Sequence, residues 1–79
     1  MDERESATMT EHAEYWRGLL EAGRAIVFGP VADPAGTWGL GIVDGGSPDD
    51  ARALGEADPA VVSGVARFEV LPMRSATTR

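Results

Sequence analysis

One histidine and one aspartate stand out as a pair that could move a proton. His12 shares one helix face with apolar residues, because Met9, His12, Ala13 and Trp16 follow the spacing i, i+3, i+4, i+7. Asp58 takes the equivalent position on the apolar side of a second predicted helix. If both helices pack on one face of a sheet, the carboxylate can orient the imidazole and favour its charged form. General acid or base catalysis by such a group contributes about 10²–10⁴-fold to a rate.

Both residues also have a purely structural interpretation. Asp58 precedes Pro59 and could be the N-cap of a short helical turn, accepting a backbone N–H near Val61. His12 could be a half-buried helix residue bonded to a carbonyl or to water. The capping and catalytic roles of Asp58 can coexist.

Aromatic residues and glycines supply candidate walls for a ligand pocket. Gly39 and Gly41 share one face of a predicted strand, where either a helix or a ligand can approach closely. The aromatic rings could equally belong to the core. The residues assigned to ligand binding are Trp16, Phe28, Gly29, Pro30, Gly39, Gly41 and Ser63.

Capping signals define the first helix that must carry these side chains. Residues 1–7 include four charged side chains and are predicted to form a polar tail. Thr8 and Glu11 have the spacing of a capping box, which predicts a helix from Met9 to Ala22 that ends at Gly23.

The remaining pattern predicts the order helix, strand, strand, helix, strand. Ser47 and the proline after it start the second helix, which runs to about Ala57 and is followed by a short turn over 59–63. The predicted strands are Ala25–Phe28, Trp38–Val43 and Val65–Leu71. Residues 8–73 therefore form one α+β domain, and 74–79 form a C-terminal tail.

Composition excludes several classes of protein and of site. The chain has 79 residues, a net charge of −6, one histidine and no cysteine. Disulfides, thiolate–zinc sites and multi-histidine sites within one subunit are excluded, so we expect no metal. The pattern Gly39-Leu40-Gly41 lacks the third glycine of a dinucleotide fingerprint, and we expect no cofactor.

Charge and size set the expected partners. Acidic charge repels phosphate backbones and argues against nucleic acid. The sequence has neither a membrane-spanning apolar run nor a secretory signal, so we expect a cytoplasmic protein that does not enter membranes. A chain of this size buries little core by itself, which favours a homodimer.

Three segments together resemble the YciI-like, or YCII-related, domain family. They are His12-Ala-Glu-Tyr-Trp with Leu20 and Gly23, then Ile26-Val-Phe-Gly-Pro30, and finally Asp49 to Leu54 with Asp58-Pro59, Ser63-Gly64 and Glu69 to Pro72. The resemblance covers residues 9 to 73. It implies a ferredoxin-like fold with an antiparallel-type sheet and two helices on one face, assembled as a dimeric α/β barrel. It also implies that His12 and Asp58 are the active-site pair.

The sequence departs from this family at its N-terminus, because family members begin with an apolar strand before the histidine-bearing helix. Here the eleven residues before His12 are mostly polar. Three explanations are open: a short variant whose final strand pairs directly with Trp38–Val43, a partner subunit that fills the gap, or a true start upstream of Met1. We expect a stable assembly to need a replacement strand.

The resulting hypothesis is a small cofactor-independent enzyme that uses His12 and Asp58 for proton transfer on a small organic substrate. The dimeric α/β barrel superfamily includes isomerases, lyases and monooxygenases that act on small cyclic compounds. By analogy, the candidate substrates include cyclic compounds. The alternative is a non-catalytic dimeric module that binds a ligand or is purely structural, in which the two residues serve the fold.

Overall fold

The computed structural model describes residues 3–44, 46–75 and 77. This part of the chain contains three helices and two strands. The elements in chain order are α1 (Glu3–Glu21), β1 (Ala25–Val31), β2 (Trp38–Val43), α2 (Pro48–Glu56) and α3 (Pro59–Val62). Helices combined with an antiparallel sheet define an α+β fold, as the sequence predicted.

Helix α1 begins six residues earlier than predicted, at Glu3 instead of Met9. Residues 3–7 are exposed but helical, because glutamate, arginine and alanine are good helix formers and two acids lie in the first turn. Thr8 is therefore inside the helix and does not cap it. The boundary of a domain at residue 8 stays a prediction.

The end of α1 agrees with the prediction. Gly23 has a φ of 77°, the left-handed conformation that suits glycine. Its N–H donates to Leu20 O at 3.1 Å, and the N–H of Arg24 donates to Leu19 O at 2.8 Å. This pair of bonds is a Schellman motif, which turns the chain directly into β1.

Strands β1 and β2 form an antiparallel pair. Phe28 lies opposite Gly41 and Gly29 lies opposite Leu40, with an irregularity in register between Ala25 and Val27. Pro30 lies within β1 and does not end it, contrary to the prediction. A two-stranded sheet has only edge strands, where proline is tolerated.

The predicted final strand, Val65–Leu71, is wrong: this segment is not a strand. The N–H of Ala66 donates to Ala60 O at 2.9 Å, which ties the start of the segment to α3. Within the described residues the sheet contains β1 and β2 alone. Strand conformation requires a neighbouring strand to bond to, and alternating apolar residues cannot supply one.

Helices α2 and α3 follow the predicted pattern closely. Ser47 caps α2 in a capping box with Asp50, and Asp58 caps α3. The ring of Phe68 lies so near Gly55 of α2 that a Cβ there would be 2.4 Å from it. This contact holds the C-terminal segment against the helices.

Candidate functional site

Asp58 is the centre of the site, and it is buried between the end of α2 and the start of α3. The residue is 5% exposed. As the N-cap of α3, it accepts the N–H of Ala60 on Oδ1 at 2.9 Å. Pro59 follows at the first helical position, where its missing N–H costs nothing. The predicted structural role of Asp58 is therefore confirmed.

His12 reaches Asp58 from the third turn of α1. Its Nδ1 lies 2.8 Å from Oδ1 and 2.7 Å from Oδ2 of Asp58. The His12 side chain is 29% exposed, whereas that of Asp58 is 7% exposed. The two residues that the sequence proposed as a pair are thus in direct contact, although they are 46 positions apart.

Trp16 is the third member of the site, one turn along α1 from His12. Its Nε1–H donates to Oδ2 of Asp58 at 2.8 Å. The indole ring stacks on Phe28 of β1, with centroids 6.5 Å apart and planes at 30°. Sequence reasoning treated Trp16 as a wall or core residue and missed this donor. The helical spacing places Trp16 beside His12, but it does not specify where the indole N–H points.

The hydrogen bonds determine what each group can do. Two N–H groups that can only donate, those of Trp16 and Ala60, point at the two oxygens of Asp58. An ionised carboxylate can only accept, and against it Nδ1 of His12 is the donor in the Nδ1–H tautomer. In neutral His12 this arrangement leaves the lone pair on Nε2, at the opposite edge of the ring. A carboxylate that fixes the tautomer in this way prepares an imidazole for general base catalysis.

The half-buried Tyr15 makes a further contact that sequence reasoning missed. Its hydroxyl donates to Leu54 O at 2.6 Å, which joins α1 to α2. Burial raises the pKa of Tyr15, and the negative charge of Asp58 raises it further, while Arg24 opposes both. Tyr15 therefore stays protonated and remains a hydrogen-bond donor at neutral pH.

An open cleft of about 1450 Å³ lies beside His12. Its lining includes the apolar face of α1, the whole of β2 and the C-terminal segment from Val65 to Met73. The cleft thus separates β2 from the segment that was predicted to be a strand. Its volume exceeds the roughly 300–1,000 Å³ of ordinary ligand pockets because it is open to solvent.

The residues predicted to bind a ligand do not all line the cleft. Those that line the cleft are Trp16, Phe28, Gly29, Pro30, Gly39 and Gly41. Ser63 lies outside this lining. It is the C-cap of α3, and its hydroxyl donates to Ala60 O at 3.3 Å.

The two glycines of β2 have different surroundings. A Cβ on Gly41 would lie 2.8 Å from the ring of Trp16, so the helix occupies that side of the strand. A Cβ on Gly39 would have no atom within 4 Å. Of the two alternatives predicted for these glycines, close approach of a helix holds at Gly41, and Gly39 leaves open space.

The part of the chain that the structure describes contains neither a cluster of metal ligands nor a membrane-spanning helix. Among residues 3–44, 46–75 and 77, no three histidine, aspartate or glutamate side chains converge as a ligand set. Over the same residues, no helix has the length and apolar character needed to cross a bilayer. Cytoplasmic location stays a prediction.

The fold and the site together define the chain as a small α+β domain with a histidine–aspartate pair beside an open cleft. Comparison with family profiles assigns it further: residues 1–74 match the YCII-related domain, and the chain belongs to that family. A ferredoxin-like arrangement is consistent with this membership. Comparisons with curated proteins and with solved structures gave no significant match.

Proposed function

We propose that the protein is a cofactor-independent enzyme in which His12 transfers a proton to or from a small organic substrate. The observation that carries this proposal is the contact of His12 Nδ1 with both oxygens of buried Asp58. It leaves Nε2 as the reactive nitrogen, on a side chain that lines the cleft. Asp58 orients the ring and stabilises the imidazolium that forms when Nε2 takes a proton.

The lining of the cleft favours an apolar and planar substrate. Trp16 and Phe28 present a stacked aromatic pair next to His12, and Gly39 leaves open space on β2. Aromatic faces bind planar rings through offset stacking. A cyclic compound with an acidic C–H bond fits this chemistry, since its proton can leave to Nε2 with no cofactor involved.

A nitrobenzisoxazole tests this proposal without knowledge of the natural substrate. Its ring opens when a base removes one C–H proton, and the phenolate product is coloured. We expect the native protein to accelerate the reaction and His12→Gln to lose about 10²-fold or more of that acceleration. Glutamine keeps an amide N–H for Asp58 but supplies no base. Equal rates for the two proteins would contradict the proposal.

The second candidate is a non-catalytic module, which the capping role of Asp58 favours. In that case His12→Gln opens nitrobenzisoxazole as fast as the native protein, so the rate separates the candidates. Urea denaturation of the same two proteins checks that both are folded. Their free energies of unfolding should differ by less than about 1 kcal/mol, because one hydrogen bond is replaced by another.

We further propose that the protein is a homodimer, because a single chain exposes too much surface. The accessible surface is 6273 Å². A compact monomer of the same mass exposes about 4,600 Å². The excess of roughly 1,700 Å² is more than the ~800 Å² that each partner buries in a standard interface.

The sheet supplies an apolar surface for this dimer. Because Gly41 faces Trp16, Leu40 lies on the opposite face, which it shares with Val27, Val31, Trp38 and Ile42 by register. Val27 is 46% exposed and Trp38 is 49% exposed. A contiguous apolar sheet face of this kind marks an interaction site.

Sedimentation velocity at micromolar concentration tests the dimer. We expect native protein to sediment as a dimer and Leu40→Arg to sediment as a monomer, since the charge cannot be buried in the interface. Val62→Arg is the matched control, because Val62 is 72% exposed and lies on α3, away from the sheet. A native protein that sediments as a folded monomer contradicts this proposal.

A further inference from the structure

Trp16 makes a contact that packing alone does not require. An indole ring in an apolar contact can direct its N–H to water, but here Nε1–H donates to Oδ2 of Asp58 at 2.8 Å. Oδ1 of the same carboxylate accepts the N–H of Ala60 at 2.9 Å. Each oxygen therefore has one fixed donor, and these donors come from different elements, α1 and α3.

These two donors determine how the carboxylate meets His12. The distances from Nδ1 to the two oxygens are nearly equal, 2.8 and 2.7 Å, so the carboxylate faces the ring symmetrically. With the Ala60 donor alone, the carboxylate could rotate about its Cβ–Cγ bond and turn Oδ2 away from His12. The indole N–H prevents that rotation.

The sheet determines the position of the indole. The ring packs against Phe28 on β1 and lies over Gly41 on β2, where a Cβ would be 2.8 Å away. Tyr15 meets the ring edge-on, with centroids 6.0 Å apart. A shift of Trp16 relative to the sheet therefore moves the hydrogen bond to Asp58.

We propose that Trp16 is a positioning residue, which acts through Asp58 to hold neutral His12 as the Nδ1–H tautomer with its lone pair on Nε2. This inference rests on the proposed function, for which a free Nε2 is needed. The inference also explains why residue 41 is a glycine. A side chain there would displace Trp16 from the sheet, and the indole N–H would no longer reach Asp58.

The tautomer of His12 can be read directly, because it is the only histidine in the chain. Nitrogen chemical shifts of the imidazole, recorded at about pH 9 where imidazoles are neutral, distinguish a protonated Nδ1 from a protonated Nε2. We expect the ratio of Nδ1–H to Nε2–H in Trp16→Phe to fall about fivefold, the factor given by one ordinary net hydrogen bond. An unchanged ratio in folded Trp16→Phe would overturn the inference.

Two matched pairs of variants separate positioning from packing. Phe28→Leu removes the stacking partner of Trp16 but keeps the indole N–H, so we expect a smaller change in the ratio than in Trp16→Phe. Gly41→Ala should lower the ratio by displacing the indole, whereas Gly39→Ala, which has open space, should leave it unchanged. Equal ratios in Gly41→Ala and Gly39→Ala would also overturn the inference.

If Trp16→Phe does not fold, benzothienylalanine at position 16 replaces the indole N–H by sulfur with almost no change of shape. Incorporation in a Trp38→Phe background confines the replacement to that position. The same fall in the tautomer ratio is expected, and an unchanged ratio would overturn the inference. Failure of the proposed function has a different signature: His12→Gln then opens nitrobenzisoxazole as fast as the native protein, while the tautomer ratios still respond to Trp16.

Discussion

The junction of α1 and α3 differs from the side of the molecule that carries β2 and the segment 65–71. At the junction, Asp58 is 5% exposed, and its carboxylate is hydrogen-bonded to His12, Trp16 and Ala60. On the β2 side, apolar residues are solvent-exposed: Leu40 is 43% exposed and Phe68 is 39% exposed. The hydrogen bonds of the junction all form within one chain, whereas these apolar side chains are exposed.

This difference shows that burial in the protein is organised around a polar group. The buried positions in the described chain are Ala25, Gly55, Asp58 and Ala60, and three of them lie at or next to the junction. No large side chain among the described residues is fully buried. Small proteins gain much of their stability from apolar burial, so the open side is where an added partner can contribute most.

Asp58→Ala is expected to have the largest effect, because it removes the centre of the junction. It deletes the N-cap of α3 and leaves the N–H groups of His12 and Trp16 without an acceptor. We expect a loss of about 2–4 kcal/mol in the free energy of unfolding, measured by urea denaturation at fixed protein concentration.

Two variants serve as controls for that measurement. Ser47→Ala removes the exposed cap of α2 and should cost only about 1 kcal/mol. Asp58→Asn keeps a capping oxygen and should cost less than Asp58→Ala. If Asp58→Ala and Ser47→Ala destabilise the protein equally, the junction is not the stable part of the fold.

Gly55→Ala is expected to have an intermediate effect, because it breaks the contact that anchors the open side. The new Cβ would lie 2.4 Å from the ring of Phe68, which must move. We expect a loss of about 1–3 kcal/mol, as for other overpacked sites.

The matched control for Gly55→Ala is Gly18→Ala on α1, where a Cβ has no atom within 4 Å. There the substitution should stabilise the helix by up to about 1 kcal/mol, since alanine is the better helix former. Thermal unfolding of both variants checks the sign of each effect. Stabilisation by Gly55→Ala would show that Phe68 does not pack on α2 in solution.

Tyr15→Phe is expected to have the smallest effect, at the edge of the junction. It removes the hydrogen bond to Leu54 O and should cost about 1 kcal/mol. Because the pKa of Tyr15 is raised in the folded state, its contribution is fully present below the unfolded value of 10.0 and is lost as the pH rises through the folded pKa.

The measurement is the free energy of unfolding of native protein and Tyr15→Phe between about pH 8 and pH 11, around the ordinary tyrosine range. The difference between the two proteins should shrink toward the alkaline end. A difference that grows with pH would mean that the tyrosinate form is favoured by folding.

Local signals predicted α2, α3 and the end of α1 well, but the cap predicted at Thr8 was wrong. Ser47 with its following proline, Gly23 at the end of α1 and Asp58 before Pro59 all have the predicted roles. Each depends on contacts within a few residues, so the sequence contains the whole interaction. The start of α1 was misplaced because polar residues 3–7 were interpreted as a tail, although polarity indicates exposure and not loss of helix.

Non-local features were predicted less completely. The pairing of His12 with Asp58 was predicted because each was the ionisable residue on an otherwise apolar helix face, and such groups must find a partner when buried. The strand Val65–Leu71 failed because strand formation depends on a partner elsewhere in the chain or in another chain. Apolar alternation is compatible with an unpaired segment.

The sequence by itself determined the class of this protein, the caps of α2 and α3, the hairpin of β1 and β2 and the two residues of its candidate site. Those features follow from local backbone preference and from helical periodicity, which the order of residues encodes directly. Only the tertiary structure decided that Trp16 is a donor to Asp58 and that the indole lies over Gly41 and not over Gly39. It also decided that apolar residues on one face of the sheet are exposed. Each of these depends on the direction of a side chain across elements distant in sequence, which no spacing along the chain specifies.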